Sequence, residues 1–100
     1  MKKIAICGSM KFSEKMMEIS EKLELEGNCI LTPVFPPRAD KKSYTKQEEE
    51  MFDLAHKERI KLADAIFVVN VDNYIGSSTK SEIEFAKLLG KEIIYYTKAG

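Results

Sequence analysis

The stretch that decides the fold runs from Ala65 to Val71 and reads AIFVVNV. It is the most apolar run in the chain, and most of its residues are β-branched or aromatic. A short run of this kind predicts a buried strand, and a strand that is apolar on both faces belongs at the centre of a parallel sheet. We therefore place this segment at the centre of the fold and interpret the rest of the chain around it.

Strand-like and helix-like segments alternate on both sides of this central strand. The predicted segments are, in chain order, strand 3–7, helix 13–26, strand 29–35 (broken by Pro33), helix 45–62, strand 65–71, helix 81–89 and strand 92–96. Such alternation is typical of a parallel sheet with helices on both faces. With right-handed crossovers, the favoured strand order is 2-1-3-4. The sequence thus predicts a flavodoxin-like or Rossmann-like three-layer α/β sandwich.

The middle helix has the clearest start signal. Thr45-Lys46-Gln47-Glu48 matches a capping box, in which the threonine and the glutamate satisfy each other's backbone N–H groups. We predict its inner face at Met51, Ala55 and Leu62. His56, which lies between Ala55 and Lys57, is interpreted as an exposed residue of this helix.

The loop that precedes this helix, PPRADKKSYTK (36–46), is rich in proline and charge. Loops of this length in a small domain are often functional or mobile, and this one is a candidate for closing over a site. Its basic residues Arg38, Lys41 and Lys42 are interpreted either as solvated charges or as guides for a phosphate.

Composition narrows the possible functions. The chain has 100 residues, 44% of them hydrophobic, which suits a single domain over residues 1–100. Sixteen basic residues balance 16 acidic ones, so no overall charge favours a nucleic acid polymer or an anionic membrane. No apolar run is long enough for a membrane span or a signal peptide, and we expect a cytoplasmic protein.

Cysteine and histidine usage gives no sign of a metal centre or another cofactor. Cys7 and Cys29 each lie in a strand-like run and are interpreted as buried thiols in a reducing compartment. The sequence has no CxxC pair and only one histidine, so we predict no metal site.

The predicted topology brings two loops together at the carboxyl edge of the sheet. Winding reverses between strands 1 and 3, and open α/β sheets bind ligands at that crevice. Gly8-Ser9 there is either a plain turn or, through backbone N–H groups at a helix start, an anion site. The predicted binding residues in the two loops are Gly8, Ser9, Met10, Asn70, Gly76, Ser77 and Ser78.

Three carboxylates are candidates for catalysis at this crevice. Glu82 fits the end of a capping box that starts at Thr79, yet a helix N-terminus also keeps a nucleophilic carboxylate ionised. Asp72 follows the central strand at its carboxyl end. Asp64 precedes that strand, where it is either a turn residue or a catalytic one. Sequence pattern leaves these alternatives open.

Three segments together resemble the nucleoside 2-deoxyribosyltransferase superfamily, which includes 2'-deoxynucleoside 5'-phosphate N-hydrolases. They are IAICGSM (4–10), LADAIFVVN (62–70) and EIEFAKLLGKEIIYY (82–96), and the resemblance covers nearly the whole chain. Its most specific part is the pattern E-I-x-x-A-x-x-x-G-K from Glu82 to Lys91.

The resemblance implies a flavodoxin-like fold and a glutamate nucleophile, which matches Glu82. Such an enzyme attacks C1' of the sugar and expels the base, and the covalent sugar ester then passes to water or to another base, as in a retaining glycosidase. Ser9, Ser77 and Ser78 match the positions that hold a 5'-phosphate in the hydrolase branch. Asp64 matches the family's aspartate before the central strand.

The sequence also departs from this family. Six residues before the nucleophile, transferases have an aspartate and hydrolases a serine, where this chain has Gly76. Asp72 or Ser78 would have to substitute. Transferases also have a tyrosine near the end of the first strand, where this chain has Gly8-Ser9. These departures favour hydrolysis or binding over full base exchange.

We therefore predict N-glycosidic bond cleavage or deoxyribosyl transfer on a nucleoside or nucleoside 5'-monophosphate. Glu82 is the predicted nucleophile, Asp72 or Asp64 assists departure of the base, and no cofactor is needed. The alternative is a non-catalytic nucleotide-binding protein with the same crevice. The family also implies a homodimer or a larger homo-oligomer.

Overall fold

The computed structural model describes residues 1–37 and 43–98. The strands and helices are β1 (Lys3–Gly8), α1 (Ser13–Leu25), β2 (Cys29–Leu31), α2 (Lys46–Leu62), β3 (Ala65–Val69), α3 (Ser77–Leu88) and β4 (Glu92–Tyr95). The strands are parallel and lie in the order β2-β1-β3-β4. The predicted 2-1-3-4 sheet is therefore confirmed, with β1 and β3 paired at its centre.

Helices cover both faces of this sheet. Side chains of a strand alternate between its faces, and β1 shows this alternation clearly. One face packs against α2 and α3 in a cluster that includes Ala5, Cys7, Ile60, Ile66 and Ile83. The other face packs against α1 in a cluster that includes Ile4, Ile6, Met16, Ile19 and Val69. The three-layer architecture is therefore confirmed.

The predicted inner face of α2 is wrong. The capping box of Thr45 and Glu48 forms as expected, but Met51 and Leu62 are 66% and 69% exposed. His56 and Ile60 are buried in their place, so the exposed position predicted for His56 is also wrong. The helix therefore packs against the sheet with one polar and one apolar residue. His56 can be buried because its imidazole hydrogen-bonds to the backbone of β1.

The predicted start of α3 is also wrong. The helix begins at Ser77 rather than near Ser81, and its N-cap is Gly76, which provides no side-chain hydrogen bond. Glu82 consequently lies in the second turn and does not cap the helix. The second strand ends at Leu31 rather than Phe35, close to Pro33, which has no N–H to donate to a neighbouring strand.

Two predictions remain outside these observations. The basic residues of the 36–46 loop, Arg38, Lys41 and Lys42, lie outside the described residues. The prediction that this loop closes over a site therefore stays a prediction. None of the helices in ranges 1–37 and 43–98 combines the length and apolarity needed to cross a bilayer.

Candidate active site

A pocket of about 850 Å³ opens at the carboxyl edge of the sheet, where β1 and β3 end side by side. The loop after β1 and the first turn of α3 form two of its walls. Every predicted binding residue except Asn70 lines it: Gly8, Ser9, Met10, Gly76, Ser77 and Ser78. The crevice inferred from strand order is thus present at the expected place.

Gly8 allows the two central strands to approach closely at the pocket. A Cβ atom at this position would lie 3.2 Å from the Val69 carbonyl oxygen and 3.3 Å from the Met16 sulfur. Both distances are shorter than most Cβ contacts in folded proteins. The glycine therefore relieves tight packing between β1 and β3, whatever ligand the turn accepts.

Aromatic side chains from four separate segments form the remaining wall. Phe35, Tyr44, Phe52 and Tyr74 all line the pocket. The rings of Tyr44 and Phe52 meet edge to face, with centroids 5.5 Å apart. Sequence reasoning missed these residues because no local pattern links segments so distant in the chain.

A lysine stands beside one of these rings. Lys11 lines the pocket, and its Nζ lies 3.3 Å from the centroid of the Tyr74 ring. This cation–π contact holds a positive charge at the pocket that Ser77 and Ser78 also line. Lysine, hydroxyl groups and helix N–H groups are all able to bind an anion such as phosphate.

Glu82 lies behind this pocket rather than in its lining. It follows Ser78 and Thr79 by about one helical turn and is only 8% exposed. Burial raises the pKa of Glu82 to about 7, and the negative charge of Asp53 acts in the same direction. A hydrogen bond from the Cys7 thiol and the charge of Lys57 oppose the rise.

Glu82 belongs to a buried polar cluster with Cys7 and His56, which come from β1 and α2. One side-chain atom of each lies within 4.8 Å of the others. The His56 Nε2–H donates to the Ile6 carbonyl at 2.8 Å, and Nδ1 accepts from Arg59 at 3.4 Å. Burial, with Arg59 adding to it, lowers the pKa of His56 to about 4 despite the Ile6 hydrogen bond, so the ring is neutral at pH 7.

Cysteine, histidine and glutamate are all able to bind a metal ion, but here they already bond to protein partners. Both ring nitrogens of His56 are engaged. The Cys7 thiol lies 3.6 Å from His56 Nε2, and burial followed by the charge of Glu82 raises its pKa. We therefore interpret the cluster as a hydrogen-bonded network.

Asp53 is a second carboxylate at the pocket, and sequence reasoning missed it. It lies on α2 one turn before His56, is half-buried, and lines the pocket. Its charge acts on Glu82, so the two carboxylates are close enough to influence each other. The predicted inner face of this helix, at Met51, Ala55 and Leu62, did not include Asp53 and gave no signal for its position.

The other two predicted catalytic carboxylates do not line the pocket. Asp64 lies at the amino end of β3, where its carboxylate accepts the Lys3 backbone N–H at 2.8 Å. That hydrogen bond is the main reason why its pKa is lowered. Asp72 is exposed in a single 3-10 turn after β3, with a left-handed φ of 53°. The turn interpretation of Asp64 agrees with this placement.

Asn70 has a structural partner. Its amide donates to the Thr97 carbonyl at 2.9 Å and accepts the Thr97 N–H at 2.8 Å, which ties the end of β3 to the segment after β4. It lines a separate pocket of about 340 Å³ together with Tyr95 and Thr97. Asn70 is therefore not brought together with the other predicted binding residues.

The fold and the pocket define a flavodoxin-like α/β protein with a ligand-sized crevice at its carboxyl edge. No protein-family model matches the sequence, and no curated protein matches it. Among solved structures, the chain is similar to a 2-deoxyribosyltransferase from the psychrotolerant bacterium Bacillus psychrosaccharolyticus, a biocatalyst for nucleoside synthesis. The TM-score is 0.64 at 19% identity, over 98% of this chain and 77% of the other. The likeness shows a shared fold and agrees with the resemblance found in the sequence.

Proposed function

We propose that this protein cleaves the N-glycosidic bond of a nucleoside or nucleoside 5'-monophosphate, as a member of the nucleoside 2-deoxyribosyltransferase superfamily. The observation that carries the proposal is the buried Glu82 carboxylate, one helical turn behind an aromatic-lined pocket at the carboxyl edge. A carboxylate in that position suits attack on a sugar whose base occupies the pocket.

Glu82 acts as the nucleophile. Its ionised carboxylate oxygen forms a bond to C1' while the bond from C1' to the base nitrogen breaks, and the electron pair leaves with the base. Water or a second base then takes the sugar from the ester. Because Glu82 is only 8% exposed and does not line the pocket, its carboxylate must become accessible to C1' for this step.

Asp53 is the carboxyl group that we propose for proton transfer to the departing base. It replaces the sequence candidates Asp72 and Asp64 because it lines the pocket and they do not. Retaining glycosidases use one carboxylate as nucleophile and a second carboxyl group as proton donor. In this proposal Asp53, which is charged beside Glu82, takes up a proton from water before it passes that proton to the departing base.

The pocket lining fits the two ends of a nucleotide. The ring of Phe52 offers a face for a base, since aromatic stacking suits any nucleobase. Lys11, Ser77 and the N-terminus of α3 hold a 5'-phosphate. The chemistry requires no metal or organic cofactor.

The test is base release, followed by chromatography over a panel of ribo- and deoxyribonucleosides and their 5'-monophosphates. Glu82→Gln should lower turnover by about a thousandfold or more, because the amide cannot form the ester. Glu84→Gln, an exposed carboxylate on the same helix, is the matched control and should retain activity. Intact-protein mass after an acid quench should show the added sugar only when Glu82 is present. Full turnover by Glu82→Gln would exclude the nucleophile.

A second candidate function is nucleotide binding without catalysis. It is favoured by the position of Glu82, which is 8% exposed and absent from the pocket lining. Calorimetric binding of a nucleotide, with no base released across the whole panel, would select it. Homo-oligomer formation is a further proposal, which light scattering of the purified protein tests.

A further inference from the structure

We propose that the Cys7 thiol is a positioning residue for Glu82: it donates its S–H hydrogen bond to the carboxylate and favours the charged form that a nucleophile needs. His56 in turn fixes the thiol. This inference rests on the proposed function, since it assigns a role in preparing the same nucleophile. Its basis is a cluster of three buried side chains, from β1, α2 and α3, whose polar atoms lie within 4.8 Å of one another.

The Cys7 thiol is the donor in this proposal because it is the S–H group of the cluster, and its sulfur lies within 4.8 Å of a Glu82 carboxylate oxygen. Cys7 is 1% exposed and lies at the end of β1, directly before the turn that lines the pocket. A buried carboxylate without a donor favours its neutral form, whereas a donor stabilises the ion. The proton stays on sulfur, because burial and the neighbouring carboxylate both raise the pKa of Cys7.

His56 holds this donor in place without competing for its proton. The ring is fixed by the hydrogen bond from Nε2–H to the Ile6 carbonyl, one residue before Cys7. Nε2 lies 3.6 Å from the Cys7 sulfur, so the imidazole packs against the thiol. A neutral ring with its proton committed to Ile6 cannot remove the thiol proton, and the thiol remains available to Glu82.

Among the residues that the structure describes, two charged side chains of α2 act on the ionisation of Glu82 in opposite directions. From α2, Asp53 disfavours the charged carboxylate and Lys57 favours it, while His56 is neutral at pH 7. From β1, the Cys7 thiol favours the charged form. Cys7 is thus a neutral member of this set, and its replacement leaves the charge around the carboxylate unaltered.

The test uses a direct titration of Glu82 in full-length protein labelled with ¹³C at the glutamate side-chain carboxyl carbons. Glu82→Gln assigns the signal. Cys7→Ala, which removes the donor, should raise the midpoint of the Glu82 titration by about half a pH unit or more. Cys7→Ser, whose hydroxyl is a stronger donor, should lower it. Cys29→Ala and Cys29→Ser, at the other thiol, are matched controls and should leave the midpoint unchanged.

Opposite movements of the midpoint support the proposal, and the pH profile of base release should move in parallel. Midpoints that coincide with the wild-type value in both Cys7 variants, with native circular dichroism, would overturn it. A purely structural thiol would change thermal stability without separating the two titrations. If the midpoints separate but no substrate loses its base, the proposed function fails while the Cys7–Glu82 contact stands.

Discussion

Two acids at opposite edges of the same sheet behave in opposite ways. Asp64, at the amino edge, is exposed and has a lowered pKa because the Lys3 N–H donates to it. Glu82, near the carboxyl edge, is buried and has a pKa raised to about 7. The comparison teaches that the two edges differ in environment rather than in residue type. The solvated amino edge stabilises charge, whereas the carboxyl edge holds a charge that burial disfavours.

The largest expected effect concerns the pH dependence of stability at the carboxyl edge. The folded pKa of Glu82 is about 7 against an ordinary 4.5, so its contribution is full below pH 4.5 and is lost as pH rises through 7. The folded pKa of His56 is about 4 against 6.5, so its contribution is present above pH 6.5 and is lost as pH falls through 4. The two contributions oppose each other between these limits.

Removing one of these groups should therefore reveal the other. The free energy of unfolding of Glu82→Gln, relative to that of the wild type at the same pH, should rise by about 3 kcal/mol between pH 4 and pH 7. Urea unfolding at each pH measures this difference. His56→Gln should show the opposite slope. Glu84→Gln, on the same helix, should follow the wild type. If all three variants show the pH dependence of the wild type, the pKa values of Glu82 and His56 are not shifted by burial at the carboxyl edge.

The next effect concerns close packing at the carboxyl edge. Gly8→Ala should lower the free energy of unfolding by about 1–2 kcal/mol, because the added Cβ meets the Val69 carbonyl at 3.2 Å. The control is Lys3→Ala at the other end of β1, where the side chain is exposed and the change should stay within about 0.5 kcal/mol. If both variants lose the same free energy of unfolding, the two ends of β1 do not differ in how closely they are packed.

A smaller effect is expected for Asp64→Asn at the amino edge. The lowered pKa of Asp64 means that its contribution is present above its ordinary value of 3.8 and is lost as pH falls through the folded value. The asparagine oxygen still accepts the Lys3 N–H, so only the charge is removed. Thermal unfolding should show a small loss of stability at pH 7 that diminishes as the solution is acidified below pH 3.8. A loss that persists in acid would argue against this explanation.

The smallest effect is expected for the Lys2–Glu92 ion pair, also at the amino edge. Its side chains are 42% and 55% exposed, and surface pairs of this kind contribute little. Lys2→Met should change the free energy of unfolding by less than about 0.5 kcal/mol, and added salt should remove that difference. A larger change in urea unfolding would mean that the amino edge is less solvated than its exposure indicates.

The fold was predictable because its determinants are local and repetitive. The apolar run at 65–69, the capping box at Thr45 and the alternation of segments each act within a few residues. Strand order follows from the handedness of the connections, and it predicts the position of the pocket. The Gly8 turn and the Ser77-Ser78 pair were found in this way.

The buried cluster was not predictable because it depends on which side of α2 faces the sheet. Apolar periodicity predicts that Met51 and Leu62 face the sheet. Instead, the Ile6 carbonyl accepts a hydrogen bond from the His56 ring, so this polar side chain can be buried in the interior. That hydrogen bond joins residues 50 positions apart in the chain. The start of α3 was misplaced for a related reason, since Gly76 begins the helix without a side-chain cap.

The parallel arrangement of the sheet has a practical consequence for handling the protein. β1 enters the sheet at the amino edge and β4 leaves it at the carboxyl edge, where Asn70 holds Thr97. A fusion partner joined ahead of Lys3 therefore sits at the end remote from the pocket, whereas one joined beyond Thr97 emerges on the pocket's side. Immobilisation on a surface through the segment ahead of Lys3 therefore leaves the crevice open to the surrounding solution.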